Sequence, residues 1–180
     1  MKLTWNKETE FFDFETEDMV GTLVSQGKLQ GIRRLMHKKD MQDFIGTYPI
    51  DYPAYGLRRG DKLYLLNIYH LLARNLPSGH TGRTMEHEYI TLENGVELTI
   101  KPSTDCPVTH KVRYEIKEPN VIDLTLSLTS HASLSAYEVW VSSYFYPKLI
   151  PYIYLYKNPA RSDIKAVSYT HLRAHETVLD

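Results

Sequence analysis

Tyr89-Ile90-Thr91-Leu92-Glu93-Asn94-Gly95-Val96-Glu97-Leu98-Thr99-Ile100 is the stretch on which the fold class turns. Residues 89–92 and 96–100 flank Glu93-Asn94-Gly95, and Asn-Gly supplies the positive φ that a tight hairpin turn uses. The two-residue period continues downstream. Val112, Tyr114 and Ile116 alternate with polar positions ahead of a Glu118-Pro119-Asn120 turn. Ile122, Leu124, Leu126 and Leu128 then alternate with Asp123, Thr125, Ser127 and Thr129, a strand with one wet face. Tyr137, Val139 and Val141 alternate with Glu138, Trp140 and Ser142, which puts Trp140 in the wetter register. Past Pro151, Tyr152, Tyr154 and Tyr156 oppose Ile153 and Leu155. From Tyr89 onward the pattern predicts antiparallel β-structure with short turns.

The first half is less regular. Met19, Val20, Leu23, Val24, Ile32, Leu35 and Met36 fit a helical stripe, but Gly21, Gly27 and Gly31 within it would each cost a helix about 1 kcal/mol. The preferred reading is two strands, over residues 12–25 and 31–37, turning at Gln26-Gly27-Lys28. Residues 63–72 stay open between a helix face and a long buried strand. Pro49 and Pro53 exclude a continuous helix over residues 46–60, and the tyrosines there suit an ordered loop or sheet-edge crossing better than a free tether. The expected fold is mainly β: one antiparallel β-sandwich domain over residues 1–166.

Whole-chain sums narrow the function classes. Among 180 residues, 21 basic side chains face 22 acidic ones, without the basic excess of a nucleic-acid or anionic-membrane binder. A single cysteine, Cys106, excludes an internal disulfide framework and a cysteine-based zinc site. Hydrophobic content of 42% excludes general disorder. No run approaches the roughly 18–20 apolar residues of a membrane span, and the opening M-K-L-T-W-N-K-E-T-E lacks a signal-peptide core. A cytoplasmic location is expected, with no metal and no cofactor.

Residues 167–180 read V-S-Y-T-H-L-R-A-H-E-T-V-L-D. Positions 167–177 resemble one translated frame of a sequencing-library adapter, as in an environmental or draft assembly. The run is therefore set aside as artefactual, and the natural chain is expected to be truncated near Ala166. Otherwise His171, His175 and Glu176 would mimic a helical metal pair at i, i+4.

The run T-E-D-M-V-G-T-L-V-S-Q-G-K-L-Q-G-I-R-R-L-M-H-K (residues 16–38) resembles the opening of the galactose mutarotase-like family of β-supersandwich proteins. P-N-V-I-D-L-T-L-S-L-T and Y-E-V-W-V-S-S-Y-F-Y-P, later in the chain, look like that family's central strands. The likeness covers about two thirds of residues 1–166, in pattern more than in letters. It implies a carbohydrate-binding groove on a concave sheet, and epimerase, lyase, hydrolase or purely binding members. In the epimerases a histidine acts as general acid and a late glutamate as base; that glutamate would lie past this chain.

The densest polar cluster is Ser78-Gly79-His80-Thr81-Gly82-Arg83 with Glu86-His87-Glu88. Imidazoles of His80 and His87 can exchange protons near neutral pH, and Glu86 or Glu88 can tune them or act as base. Arg83 offers a planar fork for a sugar-acid carboxylate. The plain alternative is a solvated loop leading into a strand, with Glu86 and Glu88 on one face and His87 on the other. His80 and His87 match no standard metal spacing. A second constellation is aromatic: Trp140, Tyr144 and Tyr146, with Tyr152, Tyr154 and Tyr156, offer rings with polar tips for sugar C–H faces. Its alternative is ordinary strand composition. His70 reads as a partly buried structural histidine. His110 and His131 lie at strand ends without sequence partners, and Cys106 lacks a nucleophile signature. No glycine-rich phosphate loop, G-x-S-x-G or H-E-x-x-H occurs. The expected function is carbohydrate binding, extended to acid–base catalysis if His80 or His87 donates a proton. The competing expectation is a non-catalytic structural or interaction module.

Overall fold

The computed structural model describes residues 1–24, 30–51, 53, 58–73, 75, 82, 85–149, 152–158 and 161–168. Among them there is no α-helix, so none long and apolar enough to cross a membrane, and every strand pairing is antiparallel. Strands β1 (Lys2–Asn6), β2 (Phe11–Glu15), β3 (Met19–Val24) and β4 (Gly31–His37) form one four-stranded meander. After β5 (Asn67–Leu72), strands β6 (His87–Leu92), β7 (Gly95–Ile100), β8 (Val108–Lys117) and β9 (Val121–Ser130) form a second. Strand β10 (Glu138–Ser142) returns to pair with β5, and β11 (Tyr152–Asn158) pairs with β12 (Arg161–Ser168). Val167 and Ser168, which close β12, belong to the run that resembles adapter sequence.

Strand β8 shows why the two meanders face each other. Val108, His110, Val112, Tyr114 and Ile116 are buried, while Lys111 and Arg113 between them and Lys117 after them are exposed. Val96, Leu98 and Ile100 of β7 have no accessible surface, and Phe12, Phe14, Leu23 and Ile32 of the first meander complete the same core. One buried face per sheet, packed on the other, is an antiparallel β-sandwich. Trp5 and Phe12 carry the contact across, with ring centroids 6.3 Å and 5.9 Å from Tyr89 of β6.

Polar ties add direction to this packing. The buried Tyr114 hydroxyl donates to the Leu66 carbonyl at 2.7 Å. Two turns about a hundred residues apart also grip each other. Thr16 Oγ1 donates to Pro119 O at 2.6 Å, Asp18 N donates to the same oxygen at 3.2 Å, and Glu17 N donates to Glu118 Oε2 at 2.6 Å. That amide and the chain's N-terminal ammonium hold the Glu118 carboxyl below its usual range.

Several elements depart from the expectation. Residues 12–25 are not one strand: the chain reverses at Thr16-Glu17-Asp18, where Thr16 Oγ1 accepts from Met19 N at 2.9 Å. Short polar side chains that bond their own backbone favour such turns. Residues 63–72 are neither a helix nor one long strand. Leu65 bridges to Ile32, Leu66 adopts φ 54°, and only then does β5 begin. Alternation also fails in β10, where an irregularity between Trp140 and Val141 leaves both exposed. The turn expected at Gln26-Gly27-Lys28 lies outside the described residues.

The Tyr89–Ile100 hairpin forms for a different reason than the one expected. Leu92 pairs with Gly95 across a two-residue turn of Glu93 and Asn94, without positive φ at Asn94 or Gly95. Gly95 is needed for space, since a Cβ there would lie 1.8 Å from the Tyr114 carbonyl oxygen. Gly95→Ala is therefore expected to lower unfolding free energy by about 1–3 kcal/mol, as overpacking does. Tyr114→Phe, which strips the bond to Leu66, is expected to cost about 1 kcal/mol. Urea denaturation checks both; parental midpoints would contradict the packing described.

Candidate functional site

The solvent face of the first meander holds a cavity of about 410 Å³ lined by Asn6, Thr9, Phe11, Asp13, Thr22, Arg33, Arg34, Asp43 and Lys62. Strand pairing builds it. Asp13 of β2 is opposite Thr22 of β3, which is opposite Arg34 of β4, so three polar side chains cross the sheet in one row. Their buried neighbours, Phe12, Phe14 and Leu23, point the other way into the core.

A β-bulge supplies the second arginine. The β3–β4 register runs Thr22 to Arg34 and then Leu23 to Ile32, leaving Arg33 as the extra residue. Ile32 is buried, Leu35 packs on the core, and both residues between them line the outer cavity. A regular strand would send two adjacent side chains to opposite faces; the bulge puts them on one.

Hydrogen bonds fix the floor of the cavity. Asp13 accepts from Asn6 Nδ2 at 2.9 Å through one oxygen and from Thr22 Oγ1 at 2.8 Å through the other. Both donors are neutral, and among the described residues Asp13 forms no salt bridge. Arg33 lies over the Phe11 ring, 5.3 Å from its centroid. Lys62 is bound to Asp43 at 2.6 Å. Among the described residues, neither Arg33 nor Arg34 forms a salt bridge.

The opposite sheet has a smaller outer cavity, about 220 Å³, lined by Glu97, Lys111, Arg113, Thr125 and Ser127. There the arginine is already satisfied: Arg113 Nε and Nη2 donate to Glu97 Oε2 at 2.9 Å and 2.7 Å. The Glu97 partner raises the Arg113 pKa further.

The residues singled out from sequence fall in separate places. Glu86 and Glu88 are exposed, and Glu88 is ion-paired with Lys101. His87 is half-buried in the register of Tyr89, with Nδ1 3.1 Å from the Met85 carbonyl oxygen. The His87 imidazole and the Glu88 carboxylate thus leave opposite faces of β6. Trp140 is 39% exposed on β10, while Tyr144 packs against the core. Since β10 pairs with β5 and β6 with β7, Trp140 and the Glu86–Glu88 run belong to different sheets. His80 and Arg83 lie outside the described residues. Among the described residues, no three His, Cys, Asp or Glu side chains gather as a metal site.

Asp13, Thr22, Arg33 and Arg34 were not among the sequence candidates. A partial signal for them exists: Asp13 and Thr22 occupy polar phases of their strands, and adjacent Arg33 and Arg34 cannot alternate between core and solvent without burying a charge.

One buried polar group stands apart. His110 has no accessible surface, and its Nε2 meets the Tyr137 hydroxyl, itself 4.0 Å from Cys106 Sγ. Burial lowers the His110 pKa to about 4 and pushes that of Tyr137 up.

Comparison with known proteins finds no matching family model, no matching curated protein and no matching solved structure.

The His110 shift fixes a pH dependence. The folded state keeps this imidazole neutral below the ordinary value of 6.5, whereas the unfolded chain takes up a proton there. Stability from this group is full above about pH 6.5 and declines as pH falls toward about 4. Denaturation midpoints between those limits should fall with pH in the parent and fall less in His110→Phe. Parallel slopes for the two would place the proton uptake elsewhere.

Proposed function

We propose that the chain is a carbohydrate-binding β-sandwich domain whose saccharide lies in the cavity on the solvent face of β1–β4. The observation that carries this reading is Asp13. Its two oxygens each accept one bond from a neutral neighbour, which fixes the carboxylate while leaving lone pairs for ligand hydroxyls. Sugar hydroxyls need firmly placed acceptors, and a carboxylate accepts more strongly than a neutral group. The cavity size suits a small ligand, within the usual range of about 300–1,000 Å³. The resemblance to galactose mutarotase-like proteins points to the same ligand class.

Binding, without turnover, is the reading this geometry favours. Acid–base catalysis at Glu86, His87 and Glu88 would need the imidazole and a carboxylate to reach the same substrate, but His87 and Glu88 leave opposite faces of β6.

Calorimetric titration of the chain with neutral and acidic oligosaccharides tests the proposal. A saccharide that binds is expected to lose about tenfold or more in affinity with Asp13→Asn, since a bond to a charged group contributes about 1.5–3 kcal/mol. Retained binding in that variant, or no binding to any saccharide, would refute the proposed site.

A further inference from the structure

We infer that the ligand of this cavity is an acidic saccharide: a uronic-acid unit whose carboxylate docks on Arg33 and Arg34 while its hydroxyls bond to Asp13. The inference rests on the carbohydrate-binding reading above and names the sugar class.

The first support is the unspent charge. Carboxylates of this chain take up several of its cations: Glu97 binds Arg113, Asp43 binds Lys62, Asp123 binds Lys117 and Glu88 binds Lys101. Arg33 and Arg34 carry no such pair among the described residues, although Asp13 and Asp43 line the same cavity. A planar guanidinium presents paired donors that match a carboxylate. The bulge lets two consecutive arginines line the same cavity.

The second support is spacing. Thr22 separates Asp13 from Arg34 in the cross-sheet row, so the two outer backbones lie about 10 Å apart at normal strand spacing. That span is comparable to one pyranose ring with its substituents, so a ring is placed over Thr22. Its hydroxyl edge then faces Asp13, and its carboxylate faces the arginines.

The third support is charge balance. With Lys62 bound to Asp43, the lining keeps the Asp13 carboxylate on one side and two arginines on the other. A ring with one negative charge at one end and neutral hydroxyls at the other meets attraction at both. A neutral sugar would satisfy Asp13 and leave the arginines to water.

The experiment is calorimetric titration of the full 180-residue chain with trimers of galacturonate, glucuronate and mannuronate, each beside its methyl ester, which keeps the ring and removes the charge. At least one acid trimer should bind ten times or more tighter than its ester. Arg34→Gln should abolish that preference and leave the ester unaffected. Arg34→Lys, which keeps the charge but not the fork, should fall between. Lys111→Gln, on the opposite sheet, should behave as the parent. Melting temperatures of the variants separate lost binding from lost folding. Equal binding of acid and ester would overturn the acidic-saccharide inference and leave carbohydrate binding standing, as would an acid preference that survives Arg34→Gln. Failure of every acid, ester and neutral oligosaccharide would overturn both.

Discussion

Alternation along β8, with every second side chain inside and its neighbours outside, is the constraint on which the rest depends. Val108, His110, Val112, Tyr114 and Ile116 are the wall against which β7 and the first meander close. A one-residue slip would turn Lys111, Arg113 and Lys117 inward, which the core cannot accommodate. Gly95 lets the β6–β7 hairpin sit against Tyr114, and the Tyr114 hydroxyl reaches beyond its own sheet to Leu66. Register, hairpin position and inter-sheet alignment therefore meet at one tyrosine.

The candidate site arises where this regularity is broken. Each outer sheet face carries charges, but regular pairing on β7–β8 lets Glu97 and Arg113 neutralise each other. On β3–β4 the extra residue shifts the phase and brings Arg33 and Arg34 to one cavity, where neither forms a salt bridge with a described carboxylate. Bulges bend and twist a strand while re-aiming its side chains, and sites often use them for that reason. Asp13 opposes the arginine wall, and its geometry is fixed by Asn6 and Thr22.

Much of the β architecture was legible because period two is a local signal. The Tyr89–Ile100 hairpin and the Val121–Ser130 strand follow from side-chain order alone, whereas the Gly31–His37 strand was favoured only by the cost of glycines to a helix. What escaped depends on contacts between distant residues. The break at Thr16–Asp18 is secured partly by Pro119, and the split at Leu66 partly by Ser143 and Tyr114. Asn94-Gly95 gave the right hairpin through the wrong property, since Gly95 is chosen for clearance and not for φ. The candidate site was the least legible part. Sequence density drew attention to residues 78–88, whereas the cavity joins residues from four strands and a bulge, none of them forming a local motif. No alternation pattern reveals that Asp13, Thr22 and Arg34 share one row until the strands are paired.

Amide chemical-shift mapping of the labelled chain, titrated with a saccharide that binds it, tests the central claim most directly: that the ligand face is the bulged outer surface of the first meander. The expected perturbations centre on Asp13, Thr22, Arg33 and Arg34, with the β6–β9 sheet unchanged. Perturbations confined to His87, Glu88 or Trp140, with the first meander silent, would contradict it.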